Sequence, residues 1–150
     1  MAVKLAHNNE PGSTESARSI SQSIAAFAQT VSYESLPQRL REFARFHILD
    51  VVGTSLAATK FEFAHRALSG LTAVAERGSV SVLGMGTTLP LKDAVFMNGI
   101  LAHGLDYDDT HPGAIVHPSS SAFPCALGVG EKVHATGADL ITAYLFSNKG

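Results

Sequence analysis

The sequence predicts a mainly α, multi-helix domain with one short strand, and three observations lead there. Apolar residues recur at three- and four-residue intervals in segment after segment. Short runs of proline, glycine, serine, asparagine and aspartate punctuate those segments where helices would start and stop. Only one run, Ser79-Val80-Ser81-Val82-Leu83, alternates with the period of a strand, and Gly84 ends it. With 45% apolar and 16% charged residues in 150, the chain has material for one hydrophobic core and lacks the composition of a disordered polymer.

The opening residues, rich in turn formers over Asn8 to Thr14, read as a flexible tail over 1–18, with the helical domain over 19–150. Ile20, Ile24, Phe27, Ala28 and Val31 share one face and predict a first helix over Glu15 to Val31. Ser35 is placed to cap a second helix that begins around Pro37 and Gln38. Leu40, Phe43, Ala44, His47, Ile48, Val51 and Val52 line one face of it, and the small residues from Gly53 to Ala58 suit close packing, so it is expected to be central and buried. A third helix is expected over Glu62 to Glu76, stopped by Arg77 and Gly78. After the strand and Pro90, Ala94, Val95, Met97, Ile100 and Leu101 predict a fourth helix ending near His103-Gly104. A fifth is expected over Ser121 to Val133. A sixth follows over Ala138 to Phe146, with Thr136 and Asp139 spaced as a capping box.

Charge and composition exclude several functions. A formal net charge of -2 lacks the positive field of a nucleic-acid binder or of a protein held on anionic membranes. No run approaches the roughly 18 apolar residues of a spanning helix, and residues 1–19 contain no apolar core of a secretory signal, so a cytoplasmic location is expected. The single cysteine, Cys125, lies in an apolar run and is expected to be a buried, inert thiol.

Chemistry concentrates in the loop between the fourth and fifth helices. Over Asp106-Tyr107-Asp108-Asp109-Thr110-His111 and on to His117-Pro118-Ser119 it holds three carboxylates, two imidazoles and several hydroxyls. Three readings stand. The polar side chains can build Asx and hydroxyl turns, with the two His-Pro pairs holding extended backbone. They can bind a divalent metal, although the spacing matches no established ligand motif. Or an imidazole and a neighbouring carboxylate can move protons in an elimination or a decarboxylation. His103, at the end of the fourth helix, can project into the same space.

These residues also carry a resemblance. Asn98-Gly99, Ala102-His103, the run Asp106 to His111 and His117-Pro118-Ser119 resemble the signature of MmgE/PrpD proteins. Ile48 to Gly53, Gly130-Glu131 and Thr136-Gly137 extend the likeness, so that it covers Ser19 to Leu145. The resemblance implies the N-terminal helical domain of a lyase, joined in the family to a smaller α+β domain, with the active site between them and homodimers common. It implies dehydration, decarboxylation or epimerisation of small di- and tricarboxylates, of the 2-methylcitrate dehydratase or cis-aconitate decarboxylase type, with no metal and no other cofactor. It places Asp106 and His117 as catalytic residues and Thr110 as a substrate-binding residue, with His103 beside it.

The expected mechanism is acid/base catalysis, with Asp106 carrying a proton or orienting His117 and Thr110 donating to a substrate carboxylate. In the family, lysine, histidine and tyrosine residues from later in the chain complete the site. This sequence ends in Phe146-Ser147-Asn148-Lys149-Gly150 where the family continues its last helix. The expectation is therefore an incomplete, truncated domain, inactive alone, that forms a homodimer or pairs with the missing C-terminal portion. The alternative is a non-catalytic helical interaction module that pairs with a full-length homologue.

Overall fold

Period and punctuation become six helices and one two-stranded sheet among residues 19–147, which are those that the computed structural model describes. The tail expected over 1–18 lies outside the described residues, as do residues 148–150. Helix α1 (Ile20–Thr30) belongs to a unit of its own over Met1–Thr30 and has no buried residue.

The second unit, Val31–Gly150, holds α2 (Gln38–Ala58), α3 (Glu62–Val74), β1 (Val80–Val82), β2 (Thr87–Leu89), α4 (Leu91–His103), α5 (Pro118–Val133) and α6 (Gly137–Ser147). Its core has two parts. Leu36, Ala44, Val51, Phe123, Tyr144 and Leu145 fill the space shared by α2, α5 and α6. Ala58, Ala64, Val80, Val82, Leu89 and Met97 fill the space shared by α3, the strands and α4. Helix α4 supplies both parts, with Ala102 in the first and Ala94, Met97 and Leu101 in the second.

The central buried helix is thus α4, where the periodicity had pointed to α2. Helix α2 buries Ala44, Val51, Ser55 and Ala58 on one stripe and leaves the large apolar Phe43, Phe46 and Leu49 exposed. Ser35 does not cap it. Its hydroxyl accepts from the Ser32 amide at 3.1 Å and donates to the Ser32 carbonyl at 2.8 Å, which closes the preceding turn, and Pro37 takes the capping position.

The expected single strand is one arm of an antiparallel hairpin, with Val80 opposite Leu89 and Val82 opposite Thr87. Gly84 and Gly86 turn the chain with φ of +66° and +62°, which an L side chain adopts only under strain. The outer edge of β1 is closed by side chains. Buried Asn98 donates to the Ser81 carbonyl at 3.0 Å and accepts from the Leu83 amide at 2.9 Å, while Glu131 accepts from the Ser81 amide at 2.9 Å and from its hydroxyl at 2.8 Å.

Helix α3 ends at Val74, ahead of the expected stop, because Ala75 is already extended. Helix α5 begins at Pro118, three residues before the expected start, since proline fits the first helical position without an amide to satisfy. The capping box of α6 forms as expected, with the Asp139 amide donating to the Thr136 hydroxyl at 3.2 Å and the Thr136 amide donating to the Asp139 carboxylate at 2.9 Å. Cys125 is exposed, contrary to expectation: its neighbours Phe123 and Pro124 take the inward side of α5 and it faces out. No helix among the described residues is long and apolar enough to cross a membrane.

Candidate functional site

Two rigid helix ends hold the polar loop. At the end of α4, Gly104 lets the Phe63 ring of α3 seat directly beneath it, since a Cβ there would stand 2.4 Å from the ring. The chain then reverses at Asp106, whose amide donates to the His103 carbonyl at 2.8 Å and whose φ of +56° is one that aspartate tolerates better than most residues. Further on, the His111 amide donates to the Val116 carbonyl and the Ile115 amide to the His111 carbonyl, each at 2.8 Å, closing a small lobe that delivers His117 to the start of α5. There the Ser120 hydroxyl holds the His117 carbonyl at 2.8 Å.

The orphan amides at the start of α5 need an acceptor, and His117 supplies none from its own side chain. Asp109 does so instead: one oxygen accepts from the Ser119 amide at 3.1 Å, where the helix dipole favours a negative charge, and the other lies 3.4 Å from His47 Nδ1 on α2. The Ser119 hydroxyl, fully buried, bonds the Tyr144 hydroxyl of α6. The loop is thereby tied through Asp109 to α2 and α5, and α5 in turn to α6.

Around this frame a histidine–carboxylate cluster forms. The Asp108 side chain is fully buried, and its two oxygens lie 3.0 and 3.1 Å from His103 Nδ1. His117 approaches the same carboxylate with Nδ1 at 3.3 Å, close enough for charge pairing though misaligned for a hydrogen bond, and that nitrogen is buried without another partner. Asp106 stands on the open side, 79% exposed, with an oxygen 3.8 Å from His117 Nε2. The two imidazole rings are 4.9 Å apart. One ligand atom from each of these four residues falls within 4.8 Å of the others, a spacing that a metal ion could also use. Every ion pair of Asp106, Asp108 and Asp109 among the described residues is with a histidine.

Of the residues singled out in the sequence, the fold brings His103, Asp106 and His117 together. Thr110 lies elsewhere on the loop, lining a cavity of about 310 Å³ with His47, Asp109 and His111 over an apolar floor of Leu40 and Phe43. A second, mostly apolar cavity of about 490 Å³ runs along α4 and α5 past His103, Ile100, Pro124 and Cys125. Two participants escaped sequence reasoning. In the sequence Asp108 is one of three loop carboxylates open alike to turn-forming, metal-binding and proton-transfer readings, because three aspartates in four positions do not reveal which one turns inward. His47 was read as part of a packing stripe; its imidazole instead meets the loop.

The MmgE/PrpD N-terminal domain family matches residues 22–147. The cis-aconitate decarboxylase of Homo sapiens is 29% identical over 133 residues, covering 85% of this chain and 27% of that protein. The cis-aconitate decarboxylase of Mus musculus is 27% identical over 133 residues, with the same coverage. The chain thus spans about a quarter of the length of these curated relatives. With 126 of its 150 residues inside the family's N-terminal domain, the chain belongs to the MmgE/PrpD family.

Proposed function

We propose that this chain supplies one wall of the active site of a metal-independent lyase acting on small di- and tricarboxylates, by decarboxylation of cis-aconitate or dehydration of 2-methylcitrate. The observation that carries the reading is the cluster in which His103, Asp106 and His117 surround buried Asp108. In a decarboxylation the breaking C–C bond leaves its electron pair on carbon, conjugated with a carboxylate, and a proton must then reach carbon. In a dehydration a base removes a proton beside a carboxylate while an acid protonates the departing hydroxyl. An imidazole partnered by carboxylates serves either step near neutral pH.

A polyanionic substrate beside Asp106 and Asp108 is repelled unless cations offset them. Among the described residues the loop carboxylates pair with histidines alone, so further positive groups are expected from outside this wall, contributed by a second domain or a second subunit. Exposed Phe46, Leu49 and Phe96 give α2 and α4 apolar surface on which such a partner can rest, and a homodimer is the proposed arrangement.

The test is an assay of the 150-residue chain, alone and joined to a complete family-length polypeptide, with cis-aconitate and with 2-methylcitrate. No turnover by the chain alone, and turnover of either acid by the complete polypeptide, is expected. Robust turnover by the chain alone would remove the need for a second wall, and inertness of the complete polypeptide toward both acids would remove the substrate class. The 4.8 Å donor cluster favours a metal-dependent hydrolase as a second reading; elemental analysis finding no stoichiometric metal eliminates it.

A further inference from the structure

We infer that Asp108 is the positioning residue of this site, holding both His103 and His117 as Nδ1–H tautomers so that each presents a bare Nε2 outward. The inference rests on the proposed proton-transfer role for its mechanistic meaning, while the geometry behind it stands separately. A neutral imidazole carries one N–H, and the nitrogen that bears it is chosen by what the ring nitrogens face. Here both Nδ1 atoms face one fully buried carboxylate, at 3.0 Å for His103 and 3.3 Å for His117. A bare Nδ1 would set a nitrogen lone pair against an oxygen of that fully buried carboxylate at those distances. A proton on Nδ1 turns the same contact into attraction. Among the described residues buried His117 Nδ1 has no other acceptor, so this holds although its angle falls short of a hydrogen bond.

The groups facing His117 are His103 from α4, Asp106 and Asp108 from the loop, and the start of its own helix α5, whose nearest amide is engaged by Asp109. Among the described carboxylates only Asp106 pairs with Nε2, from the exposed side and at 3.8 Å. The roles expected of Asp106 are therefore divided: Asp108 orients the imidazole from behind, and Asp106 is free to exchange protons in front. Because one carboxylate serves two rings, an amide at position 108 cannot replace it. Both Nδ1 atoms lie nearest the same Asp108 oxygen, so an asparagine with its carbonyl oxygen there sets its NH₂ in place of the other oxygen, 3.1 Å from His103 Nδ1, where it opposes that ring's N–H.

The experiment is ¹⁵N NMR of the histidine rings in the full 150-residue chain at about pH 8, where free imidazole is neutral. Nδ1–H on both His103 and His117 is expected, and an Nε2–H form of either overturns the inference. In Asp108→Asn at least one of the two rings is expected to switch tautomer; unchanged tautomers in the folded variant overturn it. In Asp106→Asn, at an exposed position, both rings are expected to keep the wild-type tautomer, and a switch there would assign the orienting role to Asp106. These signatures do not depend on turnover, so an inactive protein can refute the proposed reaction and leave this result intact. In an active complete polypeptide, Asp108→Asn is expected to lower kcat about 100-fold with KM changed less than about threefold. A loss carried by KM alone would overturn the positioning role.

Discussion

Asn98 and Asp108 are both buried, polar and part of the stretch by which the family is recognised, yet they do different work. Asn98 spends its carboxamide on the open edge of β1, satisfying Ser81 and Leu83, and Glu131 does the same from α5. Asn98→Ala takes their side-chain partner from the part-buried Leu83 amide and Ser81 carbonyl and is expected to lose roughly 2 kcal/mol of stability, read as a lower urea midpoint at unchanged m-value. A loss below about 0.5 kcal/mol would show that water replaces both bonds. Asp108 spends its charge on two imidazoles, and its consequence is chemical. The sequence marked both stretches and could not separate these duties. A signature records which residue types recur, whereas the direction a side chain takes depends on backbone turns such as the positive φ of Asp106. His103 and His117 were legible as site candidates because they flank the polar loop and fall in the runs that resemble the family's signature. His47 was not, since its place on an apolar helix stripe gives no sign of the loop that returns to it.

At the scale of elements, the helices were legible wherever period and punctuation agreed. Helix α4 follows Pro90 and ends at His103 as read, and the Thr136–Asp139 box begins α6 as read. The misses have physical causes. The second strand, Thr87-Thr88-Leu89, is too short to show alternation, and its signal lay in the β-branched pair just past Gly84 and Gly86. The start of α5 was read late because Pro118 to Ser121 contain no apolar residue to set a phase. That shift matters, because it puts His117 at the helix boundary beside the cluster. Helix α6 yields a pH prediction. The hydroxyl and then the amide of Thr136 hold the Asp139 carboxyl below its ordinary range. A depressed carboxyl stabilises the fold fully above its unfolded-state value and ceases to as pH falls through its folded value, so this contribution fades below about pH 4. Asp139→Asn is expected to flatten the fall of Tm on acidification in that range; an identical acid profile would show that the cap contributes no pH dependence.

At the scale of the whole molecule, the chain builds a helical scaffold and one polar loop pinned to α2, α4 and α5, and it spans about a quarter of the decarboxylases it resembles. Its charge pattern is informative: the loop gathers carboxylates and imidazoles, and none of its ion pairs among the described residues involves lysine or arginine. Such a surface can move protons but opposes a tricarboxylate on its own. Exposed Phe46, Leu49 and Phe96 give α2 and α4 apolar surface, the place we propose for a partner that brings the offsetting groups. The most direct measurement of the central claim is the rate of itaconate formation from cis-aconitate by a complete polypeptide that carries this chain, with and without His117→Ala. The account predicts a fall of about 100-fold or more on removing the imidazole, with the fold intact by circular dichroism. A variant that decarboxylates at nearly the unsubstituted rate would contradict it.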